Sequence, residues 1–156
     1  MGEVQHLFTC LVHRFPMQEQ EAVEVIKDKG FKACIHGRPG SRRQVSLMDR
    51  ETLDKFGLAP GVVKENITTQ GLDFDTLATG KMLRIGDCVL ELTGPCDPCA
   101  RMDEIRSGLQ EELRGQRGWL CQVREAGIIR RGDRIEVMAA AAASGVTLDR
   151  EARVSG

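Results

Sequence analysis

The sequence contains no tyrosine, one tryptophan and five phenylalanines among 156 residues. Proteins that bind single-stranded nucleic acid stack bases on aromatic side chains, and this chain has few such side chains. Its 22 basic and 23 acidic residues give a formal net charge of −1, so the positive excess typical of duplex-binding proteins is also missing. The composition therefore indicates a protein that does not bind nucleic acid.

Long apolar runs are absent as well. Residues 1–11 contain no basic segment followed by an apolar stretch of signal-peptide length, and no part of the chain is apolar for long enough to span a membrane. We therefore expect a soluble, cytoplasmic protein without a membrane partner. In that reducing compartment the six cysteines should be thiols rather than disulfides.

Short apolar segments separated by turn residues dominate the chain, which predicts a mainly β protein. Since many short strands are protected when a sheet closes on itself, we expect a closed or nearly closed β-barrel with a few short helices. The predicted domain covers residues 1–138, and residues 139–156 form an alanine-rich tail that should fray. The predicted strands are residues 4–12, 22–26, 44–47, 62–68, 81–85, 88–93, 118–124 and 133–137.

One short helix is predicted over residues 49–56. Asp49 is a residue type that favours the N-cap position, and Leu53 and Phe56 lie on one face of the helix. Gly57 is a typical residue for the end of a helix.

Three cysteines, Cys10, Cys88 and Cys121, lie within apolar runs and are expected to be small buried hydrophobic residues. Cys96 and Cys99 are different, because they flank Asp97 and Pro98. Asp97 is a favoured N-cap and Pro98 suits the first helical position, which predicts a helix with Cys99 in its first turn. Unpaired N–H groups there favour a thiolate.

The predicted helix continues through an apolar face at residues 102, 105, 109 and 113, and Gly108 interrupts it. Arg101, beside Cys99, adds to the attraction for a thiolate. The pattern makes Cys99 the candidate nucleophile, persulfide carrier or soft-metal ligand. Three alternatives remain open for the cysteine pair: a structural zinc site, which lacks a second Cys or His pair; a thioredoxin-like dithiol; or two turn cysteines without chemistry.

Several segments, taken together and in order, resemble the MOSC family, the domain that forms the C-terminal part of molybdenum cofactor sulfurases. The similarity extends from about residue 4 to residue 137, and each motif is specific only in combination with the others. The motifs are RQVSL at residues 43–47, KENITTQGLD at 64–73, LRIGD at 83–87 followed by LELT at 90–93, the Pro-Cys pair at 98–99, and residues 118–133 including AGIIR and GD.

The resemblance implies a barrel-like fold and a site for a molybdenum-bound pterin or for sulfur on its way to a metal. In the family the cysteine at the position of Cys99 is thought to hold persulfide sulfur or to ligate molybdenum, and some members reduce N-hydroxylated bases. One departure concerns a Gly-Asp-x-His element of the family. The matching residues here are Ala33, Cys34, Ile35 and His36, so the acidic residue is missing.

A pterin cofactor carries a phosphate, which cationic and amide donors would bind. Arg38, Arg42 and Arg43 lie in a Gly/Pro/Ser-rich loop, and either form an anion site or are merely solvated. Lys64 precedes Glu65 and Asn66.

Asn66 is a candidate for hydrogen bonding to a pterin edge and Glu65 for accepting from its ring N–H groups; the alternative is that both close a turn. His36 is a proton donor, a partner of a metal ligand, or a loop histidine without function. Residues 111, 112, 114 and 117 form a charged patch that is expected to be solvated.

The leading hypothesis is a molybdenum-cofactor-associated sulfur carrier or cofactor-binding domain. Cys99 is its catalytic or metal-ligating residue, and His36, Arg43, Lys64, Glu65, Asn66 and Arg101 are its candidate cofactor-binding residues. The alternatives are a molybdenum-dependent reductase that needs an external electron donor, and a CxxC dithiol redox protein. The chain has no pyridoxal-phosphate domain, so a cysteine desulfurase or a molybdenum enzyme is the expected protein partner.

Overall fold

The structure is a computed structural model, and it describes residues 2–12 and 15–138. The predicted tail at 139–156 lies outside the described residues. Within them are eleven strands, three short α-helices and one 3-10 turn at Phe74–Thr76. The strands are β1 (Gly2–Thr9), β2 (Gln18–Gln20), β3 (Ala22–Ile26), β4 (Gly30–Phe31), β5 (Val45–Asp49), β6 (Ile67–Gln70), β7 (Met82–Ile85), β8 (Cys88–Pro95), β9 (Trp119–Glu125), β10 (Gly127–Arg130) and β11 (Arg134–Met138); the helices are α1 (Arg50–Lys55), α2 (Met102–Ile105) and α3 (Leu109–Glu112).

Seven strands close into a barrel in the order β11-β7-β8-β9-β5-β6-β1, because β1 pairs again with β11. All neighbours are antiparallel except β5 and β6, which run parallel and are joined by a connection that contains α1. Strand β2 extends the edge of β1, and β10, β3 and β4 form a second, smaller sheet. The prediction of a mainly β protein with a closed barrel and short helices is confirmed.

The barrel interior is filled by buried apolar residues such as Leu7, Leu47 and Leu90, each fully inaccessible to solvent. A second apolar cluster lies outside the barrel and joins α1, α2, α3 and the loop before β6. It contains Met48, Leu53, Leu58, Val63, Met102, Leu109 and Leu113. This second cluster holds residues 99–117 against the loop that carries Lys64 to Asn66, which places the predicted site residues near one another.

The helix predicted over residues 49–56 is present as α1, with Asp49 in extended geometry at its N-cap. The Asp49 side chain accepts a hydrogen bond from the Thr52 hydroxyl at 2.8 Å rather than from a backbone N–H. Burial raises the pKa of the Asp49 carboxyl. Gly57 follows the helix with a φ of +68°, the left-handed geometry expected of a residue that ends a helix.

The strand predicted over residues 62–68 begins only at Ile67. Gly61 and Lys64 have φ values of +86° and +69°, which no β-strand accommodates, and the Lys64 N–H donates to the Gly61 carbonyl at 3.0 Å. Residues 61–64 therefore form a turn. No helix in the described part of the chain is long and apolar enough to cross a membrane.

Candidate functional site

Two adjoining cavities contain most of the predicted site residues. The first, of about 710 Å³, contains Cys99 and is here called the thiol cavity. The second, of about 530 Å³, contains Arg38 and Arg43 and is called the basic cavity. His36, Lys64 and Arg117 line both cavities, so these three residues mark the junction between them.

The structure brings six of the seven predicted site residues to these walls. Cys99 and Arg101 line the thiol cavity, Arg43 and Asn66 line the basic cavity, and His36 and Lys64 line both. Glu65 lines neither cavity and is fully buried.

A third cavity of about 750 Å³ lies elsewhere, and its walls contain none of the predicted site residues. Four carboxylates line it, those of Asp49, Glu51, Asp73 and Asp75, with Lys55 as the one cation. Coulomb repulsion disfavours an anionic cofactor in such surroundings.

The prediction that Cys99 lies in the first turn of a helix is wrong. Helix α2 begins at Met102 with Arg101 as its N-cap, so Asp97 and Pro98 do not start it. The Cys99 carbonyl instead accepts from the Met102 N–H at 2.9 Å, the first of three successive turn hydrogen bonds that lead into the helix. The reason is a contact distant in sequence: the Cys96 N–H donates to the Gly118 carbonyl at 2.8 Å, which prolongs the pairing of β8 with β9 and keeps the chain extended. The helix-based argument for a thiolate therefore does not apply.

The predicted interruption at Gly108 is present. Gly108 has a φ of +87° and separates α2 from α3. Met102, Leu109 and Leu113 are buried on the predicted apolar face.

Cys99 is the exposed cysteine, and the other five are buried. Burial raises the pKa of the Cys88 thiol to about 11 and raises that of Cys121 as well. Cys96 lines the basic cavity, whereas Cys99 lines the thiol cavity. The two thiols of the CxxC segment therefore face different spaces, an arrangement that does not favour the dithiol alternative.

Thiol labelling should distinguish Cys99 from the other cysteines. In native protein we expect a small reagent such as iodoacetamide to modify Cys99 rapidly and the five buried thiols far more slowly, because alkylation requires an accessible thiolate. Intact mass spectrometry should show a single early adduct in the native protein and no early adduct in Cys99→Ser. Labelling in denaturant should then modify every cysteine. Rapid modification of Cys99→Ser would contradict this prediction.

Lys64 is held at the junction of the two cavities. Its backbone adopts φ +69°, a conformation uncommon for a residue with a side chain, and its Nζ donates to the Phe15 carbonyl at 2.9 Å. The lysine therefore ties Phe15 to the wall of the thiol cavity.

The Asn66 side chain is engaged inside the protein. Its Oδ1 accepts from the backbone N–H and the hydroxyl of Ser46 at 3.0 and 3.3 Å. Its Nδ2 donates to the Phe8 carbonyl at 3.2 Å and to the Cys34 Sγ at 3.5 Å. An amide has two acceptor positions and two donors, and all four are used. This geometry favours a role for Asn66 in bracing β1 against β5 rather than in binding a pterin edge.

Cys34 stands where the family pattern has an acidic residue. Its Sγ accepts from the Cys10 N–H at 3.3 Å and from the Asn66 amide. The buried Cys34 sulfur thus supplies a hydrogen-bond acceptor at this position in place of a carboxylate oxygen.

Glu65 is buried beneath the turn that carries Lys64. Its Oε2 accepts from the Gly61 N–H at 2.8 Å and from the Thr68 hydroxyl at 2.7 Å, and its Oε1 has no hydrogen-bond partner within the described residues. Burial raises the pKa of this carboxyl, an effect that its hydrogen bonds and the charge of Arg117 oppose. Its contacts are those of a group that closes the turn.

Arg117 is a site residue that the sequence did not reveal. The charged patch around it was expected to be solvated, and Glu111 and Arg114 are indeed exposed and paired with each other. Arg117, however, is only 8% exposed. Its Nη2 donates to the Val63 carbonyl, and its Nη1 has no hydrogen-bond partner among the described residues. No local pattern signals this burial, because it depends on the turn before β6, more than fifty residues away in sequence.

No group of three or more His, Cys, Asp and Glu side chains within residues 2–12 and 15–138 is placed to hold a metal ion. The described residues thus give no support to the structural zinc alternative. A soft metal at Cys99 would need ligands beyond the His, Cys, Asp and Glu side chains of the described residues.

A family model for the MOSC domain matches residues 35–136. Among solved structures, the YuaD protein from Bacillus subtilis is similar, with a TM-score of 0.78, 21% identity, and coverage of 90% of this chain and 98% of that chain. YiiM from Escherichia coli gives a TM-score of 0.65 and 18% identity over 88% of this chain and 71% of that chain. At these identities the structural likeness shows the fold alone. No curated protein matches the chain.

Proposed function

Because the chain belongs to the MOSC domain family, which is associated with molybdenum-cofactor-related functions, we propose that it is a sulfur-carrier or cofactor-binding domain. Cys99 either holds persulfide sulfur or ligates molybdenum. The observation that carries the proposal is the position of this thiol. It is the exposed cysteine of the six, and it lies on a cavity whose walls include Lys64, Arg101 and Arg117.

The cavity walls fit a cofactor that carries a phosphate. Cationic side chains line both cavities, and a buried guanidinium nitrogen of Arg117 has no partner within the described residues. His36, Arg43, Lys64 and Arg101 would hold the anionic part of the molecule through charge-assisted hydrogen bonds. When bound, the cofactor supplies a molybdenum centre that a thiolate such as that of Cys99 can ligate.

Sulfur uptake at Cys99 requires no oxidant. The Cys99 thiolate attacks the outer sulfur of a persulfide on a donor protein, which forms an S–S bond at Cys99 and breaks the S–S bond of the donor. The donor cysteine leaves as a thiolate and takes up a proton. We propose a cysteine desulfurase as the donor, because such an enzyme carries a persulfide on its own cysteine. The exposure of Cys99 allows the approach of such a donor.

Persulfide formation is tested by intact mass spectrometry after incubation with a cysteine desulfurase and cysteine. We expect an adduct of about 32 mass units, one sulfur atom, on the wild-type protein that dithiothreitol removes. Cys99→Ser should lose the adduct completely. Cys96→Ser is the matched control and should retain it, since the buried Cys96 lines the other cavity. An adduct that persists in Cys99→Ser contradicts the carrier proposal, and loss in Cys96→Ser would favour a dithiol mechanism.

Cofactor binding is tested on protein purified from molybdate-replete cells. Molybdenum content by elemental mass spectrometry and pterin fluorescence should both fall in Cys99→Ser if the thiol ligates the metal. Stoichiometric molybdenum together with reduction of an N-hydroxylated base by an added electron donor would favour the reductase alternative. Protein that forms neither a persulfide nor a molybdenum complex would contradict the proposed function.

A further inference from the structure

Arg117 combines burial with an unpaired donor. A guanidinium remains charged at every physiological pH and presents five N–H donors in a planar fork. A buried charge without hydrogen-bond partners is unfavourable, so buried arginines are usually paired with a carboxylate or an anionic ligand. Arg117 is 8% exposed, and its Nη1 has no partner among the described residues.

One edge of the guanidinium is fixed in place. Its Nη2 donates to the Val63 carbonyl, and Val63 belongs to the apolar cluster that joins the helices. The next residue, Gly118, accepts from the Cys96 N–H at 2.8 Å. Arg117 is therefore anchored both to the turn before β6 and to the segment that leads to Cys99. Arg117 lines both cavities.

Glu65 is the buried carboxylate whose charge interacts with Arg117, yet it does not form an ion pair with it. The two side chains interact through space, but no hydrogen bond or salt bridge joins them, and the Glu65 Oε1 is itself without a partner within the described residues. Burial raises the pKa of Glu65, which weakens it as a counter-ion. Lys64, Arg38 and Arg43 add further positive charge around the junction.

We propose that Arg117 is an anion-binding group at the junction of the thiol and basic cavities and that its ligand is a phosphate group. The fork geometry of a guanidinium matches two oxygens of a tetrahedral phosphate, which makes arginine well suited to bind it. This inference deepens the proposed function and rests on it in one respect, which is that both assign ligand binding to the same two cavities. It assigns the anchoring role to a residue that the sequence pattern placed on the solvated surface.

The direct test is calorimetric titration of the full-length protein with inorganic phosphate in a chloride buffer. Arg117→Gln should weaken phosphate binding by about tenfold or more, the loss expected when a charge-assisted hydrogen bond is removed. Arg114→Gln is the matched control. Arg114 lies three residues before Arg117, and its exposed side chain is paired with Glu111. This variant therefore removes the same charge from the surface, and phosphate affinity should stay within about twofold of wild type.

Loss of folding must be separated from loss of binding, since Arg117→Gln leaves Glu65 without its nearby positive charge. The double variant Glu65→Gln/Arg117→Gln removes both buried charges together and should melt closer to wild type while still failing to bind phosphate. Arg117→Lys keeps the charge and loses the fork, so it should bind phosphate with intermediate affinity. Wild-type affinity for phosphate in a folded Arg117→Gln or in the double variant would overturn the proposal, as would a wild-type protein that does not bind phosphate.

A second titration identifies the source of the phosphate group. Guanosine monophosphate carries a phosphate on a molecule with a bicyclic base, and tighter binding than inorganic phosphate would indicate a phosphate monoester whose ring occupies the adjoining cavity. Equal affinities would indicate a free phosphate. Either result supports the anion site, provided that Arg117→Gln lowers the affinity for both phosphate compounds. Persulfide loading of Cys99 needs no phosphate, so the adduct of about 32 mass units should still form in Arg117→Gln. Failure of the phosphate site at Arg117 therefore does not imply failure of sulfur carriage at Cys99.

Discussion

Replacing Gly118 by alanine should lower the free energy of unfolding by more than about 4 kcal/mol, the range of the most damaging single substitutions. A Cβ atom at this position would lie 1.9 Å from the Leu47 carbonyl oxygen and 3.1 Å from its carbonyl carbon, distances that no side-chain rotation can relieve. The backbone has a φ of +94°, which is also unfavourable for any residue with a side chain. Since β9 pairs with β5 at this point, strand separation is the consequence.

Gly115→Ala is the matched control for Gly118→Ala. Gly115 lies three residues earlier with a φ of +78°, and a Cβ atom added there would meet no other atom within 4 Å. Only the backbone conformation is disturbed in Gly115→Ala, which should lower the free energy of unfolding by about 1 kcal/mol. Chemical unfolding followed by circular dichroism measures both variants. Equal midpoints for the two alanines would show that the close approach of Gly118 to Leu47 does not limit stability.

Gly118 also connects the barrel to the candidate site. Its carbonyl holds the Cys96 N–H, and its neighbour Arg117 lines both cavities. Any Gly118→Ala protein that remains soluble should therefore label its buried cysteines faster than wild type, because the pairing that orders residues 96–99 is lost.

The strands could be predicted where local sequence determines them. Strands β3 and β7 alternate or cluster apolar residues between turn signals, and the structure places both within about a residue of the predicted bounds. Strand β2 consists of Gln18, Glu19 and Gln20, which have no apolar pattern, and it forms because its backbone pairs with β1. Pairing at a sheet edge depends on the partner strand rather than on the side chains of the segment itself.

The same distinction between local and distant contacts applies to the site. Cys88 and Cys121 were expected to be buried from their apolar neighbours, and they are. The start of helix α2 was predicted wrongly, because it depends on the hydrogen bond between Cys96 and Gly118, which are far apart along the chain. The burial of Arg117 was missed because it depends on Val63, which is also distant in sequence. The roles of Glu65 and Asn66 also required the structure, since a Glu-Asn pair in a turn is compatible with both ligand binding and internal hydrogen bonding.

Asn66→Ala should destabilise the protein by about 3 kcal/mol, because it leaves one buried and one partly buried backbone group without their partners. The Ser46 N–H loses its acceptor and the Phe8 carbonyl loses its donor. These groups belong to β5 and β1, so the amide of Asn66 bridges two strands just before β6 begins. Chemical unfolding should show the loss as a lower midpoint with an unchanged slope, the sign of altered stability in an unchanged fold.

Gln70→Ala is the control for Asn66→Ala. Gln70 ends the following strand, and its side chain makes an exposed hydrogen bond to Gln5, so its loss should cost less than about 0.5 kcal/mol. Phosphate titration below the unfolding transition then separates the two roles considered for Asn66. A brace between strands predicts near wild-type phosphate affinity in the folded Asn66→Ala protein. Loss of phosphate affinity with unchanged stability would instead make Asn66 a ligand-binding residue, because a side chain whose hydrogen bonds brace β1 and β5 cannot be removed without a cost to folding.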